Sequence, residues 1–92
     1  MKKINIGGKE LPCRMTLGAM LKFKREKGKD VSQLDKDLED LAFLLWCCVV
    51  SACKADGIEY GDSFEDFCDK IDANDLNTFY GGMESESKKK TN

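Results

Sequence analysis

The chain has 92 residues, 41% of them hydrophobic and 35% charged, with a net charge of −2 and no histidine. At this length one core is buried, about 60–65% of the unfolded surface, and no material remains for a second lobe with a cleft between. Without histidine the commonest general base and the commonest zinc ligand are missing, so composition points away from most enzymes and towards binding or assembly.

Alternation over Lys2 to Ile6 puts Ile4 and Ile6 on one face, and Leu11, Cys13 and Met15 alternate after Gly7-Gly8. This predicts a β-hairpin with a tight glycine turn. Pro12 cannot donate to a ladder, so the second arm is expected to be an edge or to bulge there. A lone two-stranded hairpin is marginal in water and must pack on something. Thr16 is placed to cap a helix over Leu17 to Lys27, with Met15 and Met20 as a hydrophobic staple. Leu17, Met20, Leu21 and Lys24 share one face, with Phe23 beside it. Lys24, Arg25 and Lys27 suit the negative end of that helix, and Gly28 is a natural stop. Lys29 to Lys36 reads as a polar connection with a turn or helix start at Ser32.

Asp35 or Asp37 is expected to cap a third element running from Leu38 to about Ala55 and stopping at Gly57, with Asp37, Glu39 and Asp40 at its positive end. From Leu41 to Cys53 it is apolar nearly all round apart from Ser51, which predicts burial on most sides. The remaining helices look too few to cover it, and this is the clearest sign of self-association in the sequence. Its unbroken apolar run, Leu41 to Val50, is ten residues; a membrane span needs about 18 or more. No apolar stretch follows Lys2 and Lys3, so no secretory signal is expected and the chain is placed in the cytosol. Ile58 to Asp62 is a short connector. Ser63 with Asp66 resembles a capping box for a helix Phe64 to Ile71 that shows Phe64, Phe67, Cys68 and Ile71 on one face. Asp72 or Asn74 caps a last short helix through Leu76, Phe79 and Tyr80, ended by Gly81-Gly82. The tail from Glu84 to Asn92 has no apolar residue and is expected to be disordered. The reading is thus one domain over residues 1–82 and a polar tail over 83–92.

Five cysteines, Cys13, Cys47, Cys48, Cys53 and Cys68, are odd in number and form no C-x-x-C pair. They read as small buried hydrophobes in a reducing compartment, with neither a metal site nor a cofactor implied. Gly7-Gly8-Lys9 lacks the second upstream glycine and the following Ser or Thr of a phosphate loop. The acids Asp62, Glu65, Asp66, Asp69, Asp72 and Asp75 lack the central glycine and terminal glutamate of a calcium loop, and helix caps explain them more simply. A cysteine nucleophile would need a base within reach, and an apolar helix suppresses thiol reactivity; no catalytic residue is assigned.

The net charge conceals an asymmetry. Residues 1–29 carry nine Lys or Arg against two acids, while residues 30–75 carry thirteen acids against three Lys. One copy's basic end would therefore complement another's acidic end, steering a head-to-tail contact that yields rings or open helices. The densest basic cluster is Lys22, Lys24, Arg25, Lys27 and Lys29. It lacks Asn or Gln for base edges, and the acidic remainder repels phosphate, so nucleic acid is disfavoured as a partner. Phe43, Trp46, Phe79 and Tyr80 read first as core; as aromatics, a class enriched in interface hot spots, they are also the candidate partner-binding residues.

Taken in order, these elements resemble the phage tail assembly chaperones. The resemblance lies in Lys3-Ile4-Asn5-Ile6-Gly7-Gly8-Lys9-Glu10-Leu11, then Thr16-Leu17-Gly18-Ala19-Met20-Leu21-Lys22-Phe23, an acid-capped apolar helix from Asp37 to Cys53 and an acidic helical C-terminal portion. It spans residues 1–82 and contains no catalytic signature. It implies a small, mostly helical protein of the host bacterial cytoplasm that binds the tape measure protein, keeps it soluble until the tail tube forms, and self-associates into a ring or spiral. It implies no reaction, no cofactor and no membrane. Members are often made in a short form and a frameshifted longer form, for which an adenine run encoding Lys88-Lys89-Lys90 would be the slippery site.

The expectation is therefore an α+β, mostly helical domain, an N-terminal β-hairpin followed by about four α-helices, acting as a non-enzymatic tape measure chaperone. The alternative is a small phage or mobile-element DNA-binding regulator, whose mark would be affinity that falls steeply with salt.

Overall fold

The structure, a computed structural model, describes residues 3–33 and 37–80. Strands β1 (Lys3–Ile6) and β2 (Lys9–Pro12) pair antiparallel in the register Lys3↔Pro12, Ile4↔Leu11, Asn5↔Glu10, Ile6↔Lys9. Between them Gly7 and Gly8 stand at φ +58° and +88°, the doubly positive turn whose twist matches that of the strands. Asn5 Oδ1 accepts the Gly8 N–H at 3.1 Å and closes it. No bulge is needed at Pro12. In a two-residue hairpin the bonded and non-bonded pairs alternate outward from Ile6↔Lys9, so position 12 falls in a non-bonded pair and its missing N–H is not called on.

The hairpin packs through β2 on the central helix, burying Ile6, Leu11 and Cys13. Helix α1 (Leu17–Lys27) starts where Thr16 Oγ1 accepts from Ala19 N at 3.0 Å and stops at Gly28, φ +73°, whose N–H donates to Lys24 O. Its inward face is not the one that carries Leu17 and Leu21. Ala19 and Phe23 are fully buried, whereas Leu17 and Leu21 are 68% and 48% exposed. Two residues along a helix is about 200° around it, so the leucines lie opposite the buried pair. The reason is close approach. Thr16 Oγ1 and Ser51 Oγ are hydrogen-bonded at 2.6 Å, and a Cβ on Gly18 would stand 3.0 Å from Ser51 Oγ. Small residues let α1 lie tight on its neighbour, and a leucine there would hold it off.

A short 3-10 turn, Val31–Gln33, follows. Asp37 then caps α2 (Leu38–Ala55), its Oδ1 accepting from Glu39 N at 2.9 Å. The helix ends with Ile58 N–H on Cys53 O and Gly57 N–H on Lys54 O, with Gly57 at φ +73°. This is the paired bonding of a Schellman stop. Leu44, Leu45, Cys47, Cys48, Val49, Ala52 and Cys53 are buried, and no residue between 41 and 53 is exposed. The hairpin, α1 and α3 cover the helix within one chain. The expectation that the remaining helices are too few to cover it is thereby corrected.

Helix α3 (Phe64–Lys70) begins at Ser63, whose Oγ accepts from Asp66 N, and inserts Phe67 into the core. Residues 73–80 form the described part of a last helix, α4. Of its two candidate caps Asp72 serves: Asp72 Oδ1 accepts from Asp75 N, and Asp75 Oδ2 accepts from Asp72 N. Among the described residues the fold is thus a two-stranded antiparallel hairpin followed by four α-helices. The expected cap at Asp35, the Gly81-Gly82 stop and the 83–92 tail lie outside the described residues.

Candidate functional site: an apolar groove with an acidic rim

The first turns of α2 do not close against α3 and α4. Leu38, Glu39 and Ala42 form one wall of a groove of about 520 Å3; Phe64 and Cys68 of α3 form another, with Ile71, Asp72, Ala73 and Leu76 at the far end. Ala42 and Ala73 are too small to fill the gap between their helices, and Leu38 is left 63% exposed at the mouth. The walls are apolar, and Glu39 and Asp72 are the charged groups in the lining. The Cys68 thiol is pushed above its ordinary range, first by burial and then by the nearby carboxylates of Asp69, Glu39 and Glu65. An apolar trough with Glu39 and Asp72 in its lining suits a helix face better than a small polar ligand, which needs convergent donors.

The other side of the same turns is clamped. Asp40, 6% exposed, meets Lys29 Nζ at 2.6 Å and Lys27 Nζ at 3.6 Å, and Lys27 also reaches Glu39 at 3.5 Å. The hydrogen bond from Lys29 holds the Asp40 carboxyl below the usual carboxylate range, against the opposing effect of burial. This clamp ties the end of α1 and the segment after it to α2.

Of the four aromatic candidates, none stands free. Phe43 and Trp46 are half-buried in a ring cluster with Phe23 and Phe64, with centroids 5.1 to 6.2 Å apart. Lys27 Nζ lies 5.0 Å from the Phe43 ring and Lys22 Nζ 5.1 Å from that of Trp46, and Trp46 Nε1 donates to Asp62 O. Phe79 packs edge-on to Tyr80, whose hydroxyl donates to Leu41 O at 2.7 Å; burial pushes that hydroxyl's pKa up. The two pairs are not brought together in one surface. Phe43 approaches the groove indirectly, through Phe64, which forms part of its wall.

Of the groove residues, the sequence places Phe64, Cys68 and Ile71 on one helix face but marks none of them, nor Leu38, Ala42 or Leu76, as partner-binding. Their signals were an exposed-side leucine at the first position of α2 and an apolar face on α3 that continues past Phe67 to Cys68 and Ile71.

The remaining motifs resolve into structure. Gly7-Gly8-Lys9 is the hairpin turn. Asp62 pairs with Lys70 at 2.8 Å, and Asp72 and Asp75 cap α4. All five cysteines are thiols. Burial drives Cys47 up to about 11 and Cys48 and Cys53 upward as well, which lowers the thiolate fraction that any thiol chemistry would need. Among the described residues no group of three Cys, Asp or Glu is arranged to hold a metal ion, and no helix is long and apolar enough to cross a membrane. Three members of the basic cluster, Lys22, Lys27 and Lys29, are engaged on Trp46 or on Asp40. Comparison with protein-family models, with curated proteins and with solved structures returned no match for this chain.

Proposed function

We propose that this chain is a non-enzymatic chaperone of phage tail assembly, which binds helical segments of the tape measure protein in the host bacterial cytoplasm and keeps them soluble. The observation that carries the reading is the open apolar groove at the first turns of α2, on a domain whose core is otherwise closed. A long helical client offers apolar side chains at three- and four-residue spacing, and a trough lined by Leu38, Ala42, Phe64, Ile71 and Leu76 takes such a ridge. The charged outer faces keep the complex dispersed. The order of hairpin, Thr16-capped helix and acid-capped apolar helix supports the same reading by its resemblance to that family.

The test is co-purification of the tagged chain from cells producing the phage, read by mass spectrometry. One very long, helix-rich phage protein recovered with several copies of this chain is the expected result. Recovery of DNA or of short regulatory proteins alone overturns the proposal in favour of a regulator.

A further inference from the structure

Helix α1 carries a second uncovered surface, separate from the groove: none of the residues lining the groove belongs to α1. Successive residues stand about 100° apart around a helix. With Ala19 and Phe23 turned inward, Leu17, Leu21, Lys24 and Arg25 fall together within an arc of about 100° on the far side. The two leucines form an exposed apolar ridge one turn long, and Lys24 and Arg25 flank its line one turn further on. Both cations are exposed and neither is in an ion pair among the described residues. Glu26, the acid of this helix, stands about 140° around from Leu21, on the side of the Cys47 thiol, which feels its charge. The ridge is therefore apolar and cationic, with no carboxylate of its own helix beside it.

That combination selects its partner. An anionic bilayer is held by clusters of about four to eight cations; this face has two, and the thirteen acids of residues 30–75 repel an extended anionic surface. Phosphates alone would leave Leu17 and Leu21 without an apolar contact. A helix supplies both halves of the match. Its apolar residues recur at three- and four-residue spacing, and its carboxylates gather in the first turn, at the positive end of its dipole.

We propose that α1 docks an amphipathic helix with an acidic first turn, running antiparallel to α1, so that its carboxylates meet Lys24 and Arg25 and its apolar residues pack along Leu21 and Leu17. The antiparallel direction also sets opposite dipole ends side by side. The contact leaves the groove free for its own client and does not depend on that client's identity. The area is small and the cations are exposed, so the association is weak, reversible and sensitive to salt.

Fluorescence anisotropy of the full chain with two labelled, helix-stapled peptides tests it. One peptide carries Glu in its first turn with leucines at four-residue spacing behind; the other carries Lys in place of Glu. The acidic peptide is expected to bind, with affinity that falls as salt rises. Leu21→Glu is expected to weaken it about tenfold or more. Lys24→Glu/Arg25→Glu is expected to weaken it similarly and to gain affinity for the basic peptide, whereas Leu38→Glu, at the mouth of the groove, is expected to leave the acidic peptide's affinity unchanged. The substituted positions are exposed, so circular dichroism is expected to match the parent; should the double reversal lose helix, Lys24→Gln/Arg25→Gln is expected to weaken the acidic peptide with no gain for the basic one. No binding of the acidic peptide overturns the proposal, as does a folded charge variant that binds it as tightly as the parent. A loss in Leu38→Glu equal to that in the ridge variants would put the peptide in the groove and overturn it too. So would binding to phosphatidylserine vesicles in place of the peptide, or sedimentation showing the ridge already covered by a second copy at the assay concentration.

Discussion

Most side chains of the central helix from Leu44 to Cys53 are buried in one core; from Leu38 to Ala42 it meets a lysine clamp on one side and an open groove on the other. The two stretches differ in what faces them. Phe23, Phe67 and the hairpin's Leu11 share one buried core with the C-terminal half. Opposite the N-terminal half stand Ala73 and an exposed edge of α3, which leave the groove open. In a domain this small, one half of a helix can supply the stability that lets the other half remain unfilled.

The sharpest way to break that comparison is to truncate the sealed half. Leu45→Ala or Phe67→Ala is expected to cost about 3–5 kcal/mol, a large share of the roughly 5–15 kcal/mol total of such domains, and the urea transition should shift far down or vanish. The equivalent insult at the open half, Leu38→Lys, is expected to move the same transition by less than about 0.5 kcal/mol. It should instead weaken docking of an amphipathic helical peptide about tenfold, a difference of about 1.4 kcal/mol, read by fluorescence anisotropy. If Leu38→Lys unfolds the chain, the groove is part of the core and the distinction fails.

Smaller effects sharpen the picture at the joints. Thr16→Ala loses both the cap to Ala19 N and the bond to Ser51, and about 1–2 kcal/mol is expected from chemical denaturation. Gly28→Ala places a side chain at φ +73° with nothing within 4 Å of its Cβ. The cost there is backbone strain alone, about 1 kcal/mol.

Asp40 supplies a dependence on pH. Its folded pKa is lowered by Lys29, so its contribution to stability is present above the unfolded value, about 3.9, and is lost as pH falls through the folded value. Asp56, lowered by the Arg14 guanidinium, behaves in the same sense. Urea midpoints taken from neutral to acid pH should fall less steeply for Asp40→Asn than for the parent. Equal slopes would show that the clamp is not coupled to folding.

Much of the fold was legible because it is local chemistry. Gly7-Gly8, the caps at Thr16, Asp37 and Ser63, and the stops at Gly28 and Gly57 are each decided within about five residues of chain, and the bounds of α1 and α2 follow from them. What depends on distant partners was not legible. Leucine at 17 and 21 reads as apolar by type, yet α1 turns Ala19 and Phe23 inward, and at Gly18 a Cβ would already stand 3.0 Å from Ser51 Oγ on another helix. Asp40 reads as a first-turn acid and becomes a buried anchor only once Lys29 is folded back to it. The groove is a misfit between α2, α3 and α4, and no window of one helix records it. The four aromatics show the same limit. Residue type marked them as adhesive, and their partners turned out to be other aromatic rings, two lysines and two backbone carbonyls.

The placement of the thiols has a practical consequence. Cys13, Cys47, Cys48 and Cys53 are sealed in the core, and Cys68 alone is half-covered, in the groove wall. A thiol-reactive aromatic disulfide would meet Cys68 directly, at a pace set by whatever occupies the groove. The other four would react only when the domain opens, and their lag would time that opening. The chain thus carries two chemical clocks of its own, one for occupancy and one for breathing, and neither needs an added label.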